Sequence, residues 1–543
     1  MRLKILVLLF FTLTIFGQLV TADGYAYLEG ETDHDSIEIV FERTVPSTVF
    51  DTALTNSSGY FSINLETGIY DVSYRQEGFL PVYLTDIVLY SSTTLPDTVL
   101  GSMGLFGALS GTLAAGTYTV GGDIEVLGED SLTIEPGAKL CFREGVGFDV
   151  RGYLIAEGTE YDSIIFTSLD TANYWRGIDF YYDSLYPPVD SSKLSHCVVE
   201  YADGGLYIRG LSPVIQNCLI RNNWAEIGGG HGGGILLIGS NSLIENTTIS
   251  NNHANSEGGG IRIEEGNPIV RSCIIESNSS GLYGAAINCK DSGLLLENSL
   301  LLYNSPPGLL TSTTVLIDDC PDLIAKNVTI CHSNCIAWVV DLNSGNFMNC
   351  IIANNEGYGI RGSGFHIQNC DFWNNSDGNF HSSCPEWLGV NVTINANGDS
   401  IDPYGNIQLN PMFVDTSFGD FRLLPESPCL DAGAEFMVIS DDTIWAPLED
   451  FDGATRPYGP RWDIGAFEGP FSGIEENSPS AKPEAFAISA YPNPFNSAVT
   501  IALDGVGVCN TPLRVEIYDV AGRMVDVISQ PVTELVEVPG GFA

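Results

Sequence analysis

The chain has 543 residues, enough for several domains, and carries 68 Asp and Glu against 22 Lys and Arg, a formal net charge of −46. A surface of that sign repels nucleic acid and anionic lipid, so no nucleic-acid partner is expected, and solubility accounts for the charge. A hydrophobic share of 44% excludes a disordered chain.

Residues 1–22 read as a secretory signal. Arg2 and Lys4 precede an apolar run from Ile5 to Phe16, and Val20-Thr21-Ala22 fits a small-residue cleavage site. No later apolar run is long enough to cross a bilayer, so no membrane span is expected after the signal is removed. Residues 23–103 then carry strand signals at Ser36–Phe41, Gly59–Ile63 and Tyr70–Tyr74, with turns at Asn56-Ser57-Ser58-Gly59 and Glu77-Gly78. This stretch resembles the carboxypeptidase-regulatory-like β-sandwich, which implies a non-catalytic spacer.

From residue 104 to 470 a short phrase recurs: a small or polar residue, Cys or an equivalent, then apolar residues. It begins at His196, Asn217, Asn246, Ser272, Asn298, Asn327, Asn349 and Asn369, in steps of 21, 29, 26, 26, 29, 22 and 20 residues. Such self-similarity marks a solenoid. Each period holds three short strand signals and no crossover helix, so it reads as one coil of a parallel β-helix with coils ~4.8 Å apart. Asn222, Asn251, Asn278, Asn304, Asn354 and Asn374 are expected at one corner, where Asn tolerates left-handed angles and amides can bond up the stack. The glycine runs 228–230, 232–234 and 258–260 are expected at the next corner for their positive φ. Cys197, Cys218, Cys273, Cys350 and Cys370 share one repeat position and read as small buried side chains. Cys331 and Cys335 are the better pair for a local bridge, and their spacing supports a zinc site only weakly.

The stretch closes with Ser427-Pro428-Cys429-Leu430-Asp431-Ala432-Gly433, then Asp450-Phe451-Asp452-Gly453 and Trp462-Asp463-Ile464-Gly465-Ala466-Phe467-Glu468. With the coils, these phrases resemble the exported bacterial right-handed parallel β-helix proteins of the pectin-lyase-like superfamily. The resemblance implies a terminal segment covering the last coil. A polar linker spans 471–487. In 488–543, Tyr491-Pro492-Asn493-Pro494-Phe495-Asn496 and Val515–Val525 resemble the C-terminal sorting domain of type IX secretion, an immunoglobulin-like sandwich. That implies the secretion machinery as a partner. The family's final strands do not follow Gly541-Phe542-Ala543, so the domain is expected in truncated form. The fold class is therefore all-β: a right-handed parallel β-helix solenoid flanked by two small β-sandwich domains.

Chemistry is sparse. His231 in Gly230-His231-Gly232 is similar to the Gly-His-Gly of polygalacturonases, but the paired aspartates Asp318-Asp319 come after it rather than before. Inverting hydrolysis needs two carboxylates flanking the bond. Glu200, Asp203 and His231 are the catalytic candidates. Asp450 and Asp452, alternating ahead of Gly453, are the candidate metal ligands, with Ca²⁺ as the ion and no other cofactor expected. Trp224, Tyr283, Tyr303, Trp338, Tyr358 and Trp373 fall at or near turns, where rings can stack on sugars. The sequence points to a secreted or cell-surface protein, non-catalytic, binding glycans or surfaces in the manner of an adhesin. The alternatives are a polysaccharide lyase or glycoside hydrolase on the same scaffold, or a structural envelope protein.

Overall fold

The structure is a computed structural model. It describes residues 18–469 apart from 30, 103, 183–191, 227–228, 306–312, 342–344 and 441. Beyond these it describes only the strands Ala487–Tyr491, Ala498–Asp504, Leu513–Tyr518, Met524–Gln530 and Val536–Pro539. Among the described residues the one helical element is a single 3-10 turn, Thr416–Phe418, and no helix is long and apolar enough to cross a membrane. The chain divides into two units at residue 471, and the second consists of antiparallel β-strands.

A β-sandwich opens the first unit. Leu19–Leu28 pairs with Tyr60–Glu66, and Glu38–Val45 lies between Val49–Leu54 and Gly68–Arg75 in the facing sheet. Alternation along Leu19–Leu28 sends Val20, Ala22, Ala26 and Leu28 into the core with Ile39, Phe41, Val72 and Tyr74. Ala22, where the leader was expected to end, thus lies inside a buried strand.

The solenoid follows, with three parallel sheets per coil. Sheet A stacks eleven strands from Gly111–Leu113 to His366–Gln368. Sheet B runs from the first half of Gly116–Val126 to Asp371–Trp373, and sheet C from its second half to Gly378–Phe380. Each sheet sends at least one column of apolar side chains inward at every coil, and sheet C sends two, one through Val315 and Trp338 and one through Ile317 and Val340. Sheet A contributes Leu194, Ile215, Ile244, Val270, Leu296, Ala325 and Phe347, and sheet B contributes Val199, Ile220, Ile249, Ile275, Leu301, Ile330 and Ile352. These are fully or almost fully buried, each worth about 1.5–3 kcal/mol for the larger aliphatics. The period-two alternation therefore sets the hydrophobic driving force, and the coil-to-coil hydrogen bonds satisfy the backbone.

The corners explain the repeated phrase. Its first residue, from His196 to Asn369, has a left-handed backbone with φ between 46° and 54°, which Asn tolerates best among non-glycine residues. The turn leaves the preceding carbonyl pointing at the next side chain. Cys218 Sγ donates to Gln216 O at 3.2 Å and Cys273 Sγ to Arg271 O at 3.2 Å. Thr247 and Ser299 take the same position and donate to Glu245 O and Glu297 O. Cys, Thr and Ser interchange here because each is a small donor, so the column is not simply apolar.

At the corner between sheets B and C the expected Asn column separates into two. Asn222, Asn251, Asn354 and Asn374 hold the left-handed turn, whereas the bonded ladder is the residue after it: Asn223, Asn252, Asn278 and Asn304, then Asn355 and Asn375. Asn252 Nδ2 donates to Asn278 Oδ1 at 3.0 Å and to Ile220 O at 2.9 Å, and its backbone N–H also donates to Asn278 Oδ1 at 3.0 Å. The glycine expectation is corrected in part. Gly232 and Gly258 have positive φ, but Gly234 and Gly260 are required for closeness: a Cβ on Gly234 would lie 2.6 Å from Gly260 O and 3.1 Å from Asn252 Nδ2.

Two further expectations are corrected. Cys331 and Cys335 are unbridged: they flank one corner, between strands Thr329–Cys331 and Ile336–Asp341, but their side chains have different neighbours. Cys331 is buried outside sheet B, and Cys335 Sγ lies 3.2 Å from Thr314 Oγ1. The terminal phrases do not cap the end of the core; they meet the last coil only on its flank. Phe380, Cys384, Trp387 and Leu388 pack against the end of the core, and Ile407 bonds alongside Asp371 as one more step. Residues 410–468 instead fold back along the outer face of sheet B, where Phe421, Leu423, Cys429, Ile464 and Ala466 cover Leu300, Leu302, Ile351 and Ala353.

Candidate functional site

Long loops lie at the corner between sheets B and C, on the coils that carry Trp224, His253 and Ser279. These three residues are in register on successive coils. The Trp224 ring sits 4.1 Å from the His253 ring and remains 40% exposed. His253 Nδ1 is 2.7 Å from Ser279 Oγ, and burial pushes the imidazole below its usual range, so it is neutral near pH 7. The same loops then present Leu282 and Tyr283, both exposed. Ser256 N bonds Gly230 O, and Leu282 N bonds Ser256 O, which stacks these loops one on the next.

A polar group borders the rings. His231 Nδ1 lies 4.0 Å from Glu257, and Glu257 lies 3.0 Å from the Arg262 guanidinium. Arg262 is only 4% exposed and is also held by Glu264 and by Asn288 Oδ1. Asn288 Nδ2 and His231 Nδ1 are buried atoms with no hydrogen-bond partner. Donors or acceptors left in that state cost free energy unless a ligand or water meets them.

The remaining sequence candidates fall elsewhere. Asp203 stands at this corner one coil before His231, where its Oδ1 accepts from Glu226 N at 2.7 Å. Glu200 is on the outer face of sheet B, bound to Arg221 Nε at 2.9 Å and Thr167 Oγ1 at 3.1 Å. Glu200 and His231 thus stand on different surfaces, the outer face of a sheet and a corner loop. Trp338 is 1% exposed and fills an inward column of sheet C, after Val315 and beside Phe347, out of reach of any ligand. Tyr303 stacks on His332 at 5.2 Å and donates to Thr416 O of the return segment, and Trp373 packs under that segment. Tyr358 sits edge-on to His381 at 4.9 Å, one end of the solenoid away from Trp224. Asp450 uses both oxygens on backbone amides, from Ala454 at 2.7 Å and Glu468 at 2.8 Å, the bonding of a turn. Asp452 stands beside it, its carboxyl pushed up by burial and by Asp450. No cluster of three metal-ligating side chains occurs among the described residues.

Sequence reasoning passed over His253, Glu257, Arg262 and Asn288. The signal was available in the period: 231, 257 and 283 are 26 apart, as are 262 and 288, so these residues stack on successive coils.

Comparison with known proteins agrees with the architecture. A family model described as right handed beta helix region matches residues 177–320. A second, described as secretion system C-terminal sorting domain, matches residues 489–536. No curated protein matches. Among solved structures, two mutant type II cohesin–X-dockerin complexes from Acetivibrio cellulolyticus are similar over 15% of this chain, at 19% and 21% identity with TM-scores of 0.13. The matched part spans 58% and 56% of those chains, and similarity of that order carries no argument about fold or function. The sorting domain indicates a chain that is secreted or held at the cell surface through type IX secretion.

Proposed function

We propose that this secreted or cell-surface β-helix protein is a non-catalytic, adhesin-like binder of glycans, and that the corner carrying Trp224, His253 and Tyr283 is where the sugar docks. The observation that carries the reading is the Trp224 indole, 40% exposed and held against the His253 ring at 4.1 Å with the two planes tilted by 40°. An exposed, pre-positioned ring offers a flat apolar face to a pyranose at little cost in ordering. The partly exposed His231 and Glu257 side chains beside the rings supply polar groups for sugar hydroxyls. The net charge of −46 favours an uncharged glycan over an acidic one.

A glycan array probed with the full chain tests this. Trp224→Ala is expected to weaken binding about tenfold, ~1.4 kcal/mol, with an unchanged melting temperature. Undiminished binding by that variant sinks the assignment of the site. Release of oligosaccharides, lost in His231→Ala or Glu200→Gln, replaces the binding reading with an enzymatic one.

A further inference from the structure

The second inner column of sheet C runs Ile208, Leu237, Ile263, Cys289, Ile317 and Val340. An aliphatic side chain stands at every step except Cys289. On the following coil, Cys320 comes directly after the left-handed Asp319 and turns its sulfur inward, donating to Asp318 O at 3.3 Å. That places Cys320 Sγ 3.2 Å from Cys289 Sγ as an unbridged pair of hydrogen-bonded thiols, with both residues fully buried. Non-bonded heavy atoms in a packed core settle at ~3.5–4.0 Å, so the two sulfurs are already inside ordinary contact, on the way to the ~2.05 Å of a disulfide.

We propose that Cys289 and Cys320 are joined by a disulfide in the exported protein, a covalent staple between adjacent coils. The sorting domain sends the chain to an oxidising compartment, where such bonds persist. Both thiols give up their protons, and the two electrons pass to a disulfide donor, which leaves as a dithiol; two S–H bonds break and one S–S bond forms. Because both sulfurs are buried in the finished coil, the donor acts while strand Thr313–Asp318 is still docking on Ile287–Lys290. The staple differs from the corner thiols. Cys218, Cys273 and Cys350 each donate to the carbonyl two residues back, and Cys273 stands between Thr247 and Ser299, which cannot form such a bond; Cys197 with Cys218 and Cys350 with Cys370 are neighbours in that column.

The test is peptide mapping of the full-length protein recovered after export and alkylated in denaturant without reductant. The expected product is a peptide pair joining Cys289 to Cys320, unalkylated and separated by reductant. Reduction is expected to lower the melting temperature of the wild-type chain but not that of Cys289→Val, which restores the aliphatic column. Complete alkylation of both residues in the exported protein, or either residue bonded to a different cysteine, overturns the proposal; the wild-type map decides even if the variant folds poorly.

Discussion

The outer face of sheet B is built two ways on one scaffold. On the earlier coils it presents Glu200, Arg221, Ser250 and Glu276 in one column; from the next coil on the same column reads Leu302, Cys331 and Ala353. The inward column behind it stays aliphatic throughout. Inward residues therefore set the coil, and outward residues decide what lies against it: solvent on the first coils, the return segment on the last. The turn residues follow the same division. Asn298, Asn327, Asn349 and Asn369 keep the left-handed angle of Asn217 and Asn246, but their amides also bond Glu449 O, Gly465 O, Ala434 O and Ala432 O of the return segment.

The sharpest way to break this contrast is at Arg456. It forms an ion pair with Glu468 at 2.6 Å with both side chains fully buried, and it donates to Gly465 O and Ala466 O. Arg456→Ala leaves Glu468 buried without its cation, an expected loss of ~3–5 kcal/mol. The return segment should then be cut by protease within residues 410–468, and a hydrophobic dye should bind the bared Leu302 and Ile351. The matching pair on the open face, Arg221 with Glu200, is partly exposed, so Arg221→Ala should cost ~0–1 kcal/mol. Equal losses from the two variants contradict the division.

Asp371 sharpens the contrast through pH. It lies in the outer face of the last sheet B strand, under the return segment, where Oδ1 accepts from Leu409 N and Oδ2 from Cys429 Sγ. Burial pushes its carboxyl up to about 8 from an ordinary 3.8. Asp463 is raised in the same sense, to about 7, by burial and then by Glu468. An acid raised on folding binds its proton more tightly in the native state, so its contribution is full below the unfolded value and drains as pH climbs through the folded one. Docking of the return segment should thus weaken between pH 4 and 8, by at most ~1.4 kcal/mol per pH unit for each group. Asp371→Asn, which keeps the shape without the charge, should flatten melting temperature against pH and raise it at pH 8. A slope unaltered in that variant removes Asp371 as its source.

What the sequence made legible follows from distance along the chain. The solenoid, its register and the sorting domain are local or periodic, and a repeat of 20 to 29 residues is plain in the letters. The return segment is not: Asn327 meets Gly465 across 138 residues, and nothing in Trp462–Glu468 says whether it seals an end or a flank. Trp338 was misplaced for a different reason. Ile-Ala-Trp-Val-Val carries no turn signal, and only alignment with Val315 on the coil before shows that the ring points inward. His231 stood out because glycines flank it, whereas Arg262 and Glu257 gain their meaning only once coils are stacked.

The Asn ladder offers a smaller contrast, between an intact stretch and an interrupted one. From Asn223 to Asn304 each amide oxygen takes the N–H of the coil before, but the next member is Ser333, whose Oγ is buried and unbonded. Removing a link from the intact stretch, Asn278→Ala, strips the acceptor from Asn252 N–H and Nδ2 and the donor from Ile249 O, an expected cost of about 2–3 kcal/mol. Adding the missing link, Ser333→Asn, should gain about 1 kcal/mol, because its amide would continue toward Asn355 Oδ1, which already accepts Ser333 N at 3.0 Å. The short corner after Asn355 and Asn375 shows that a tight loop admits the larger side chain. Thermal melts of the two variants should move in opposite directions; a loss in both would mean that the corner at Ser333 is shaped by packing against its neighbours rather than by the ladder.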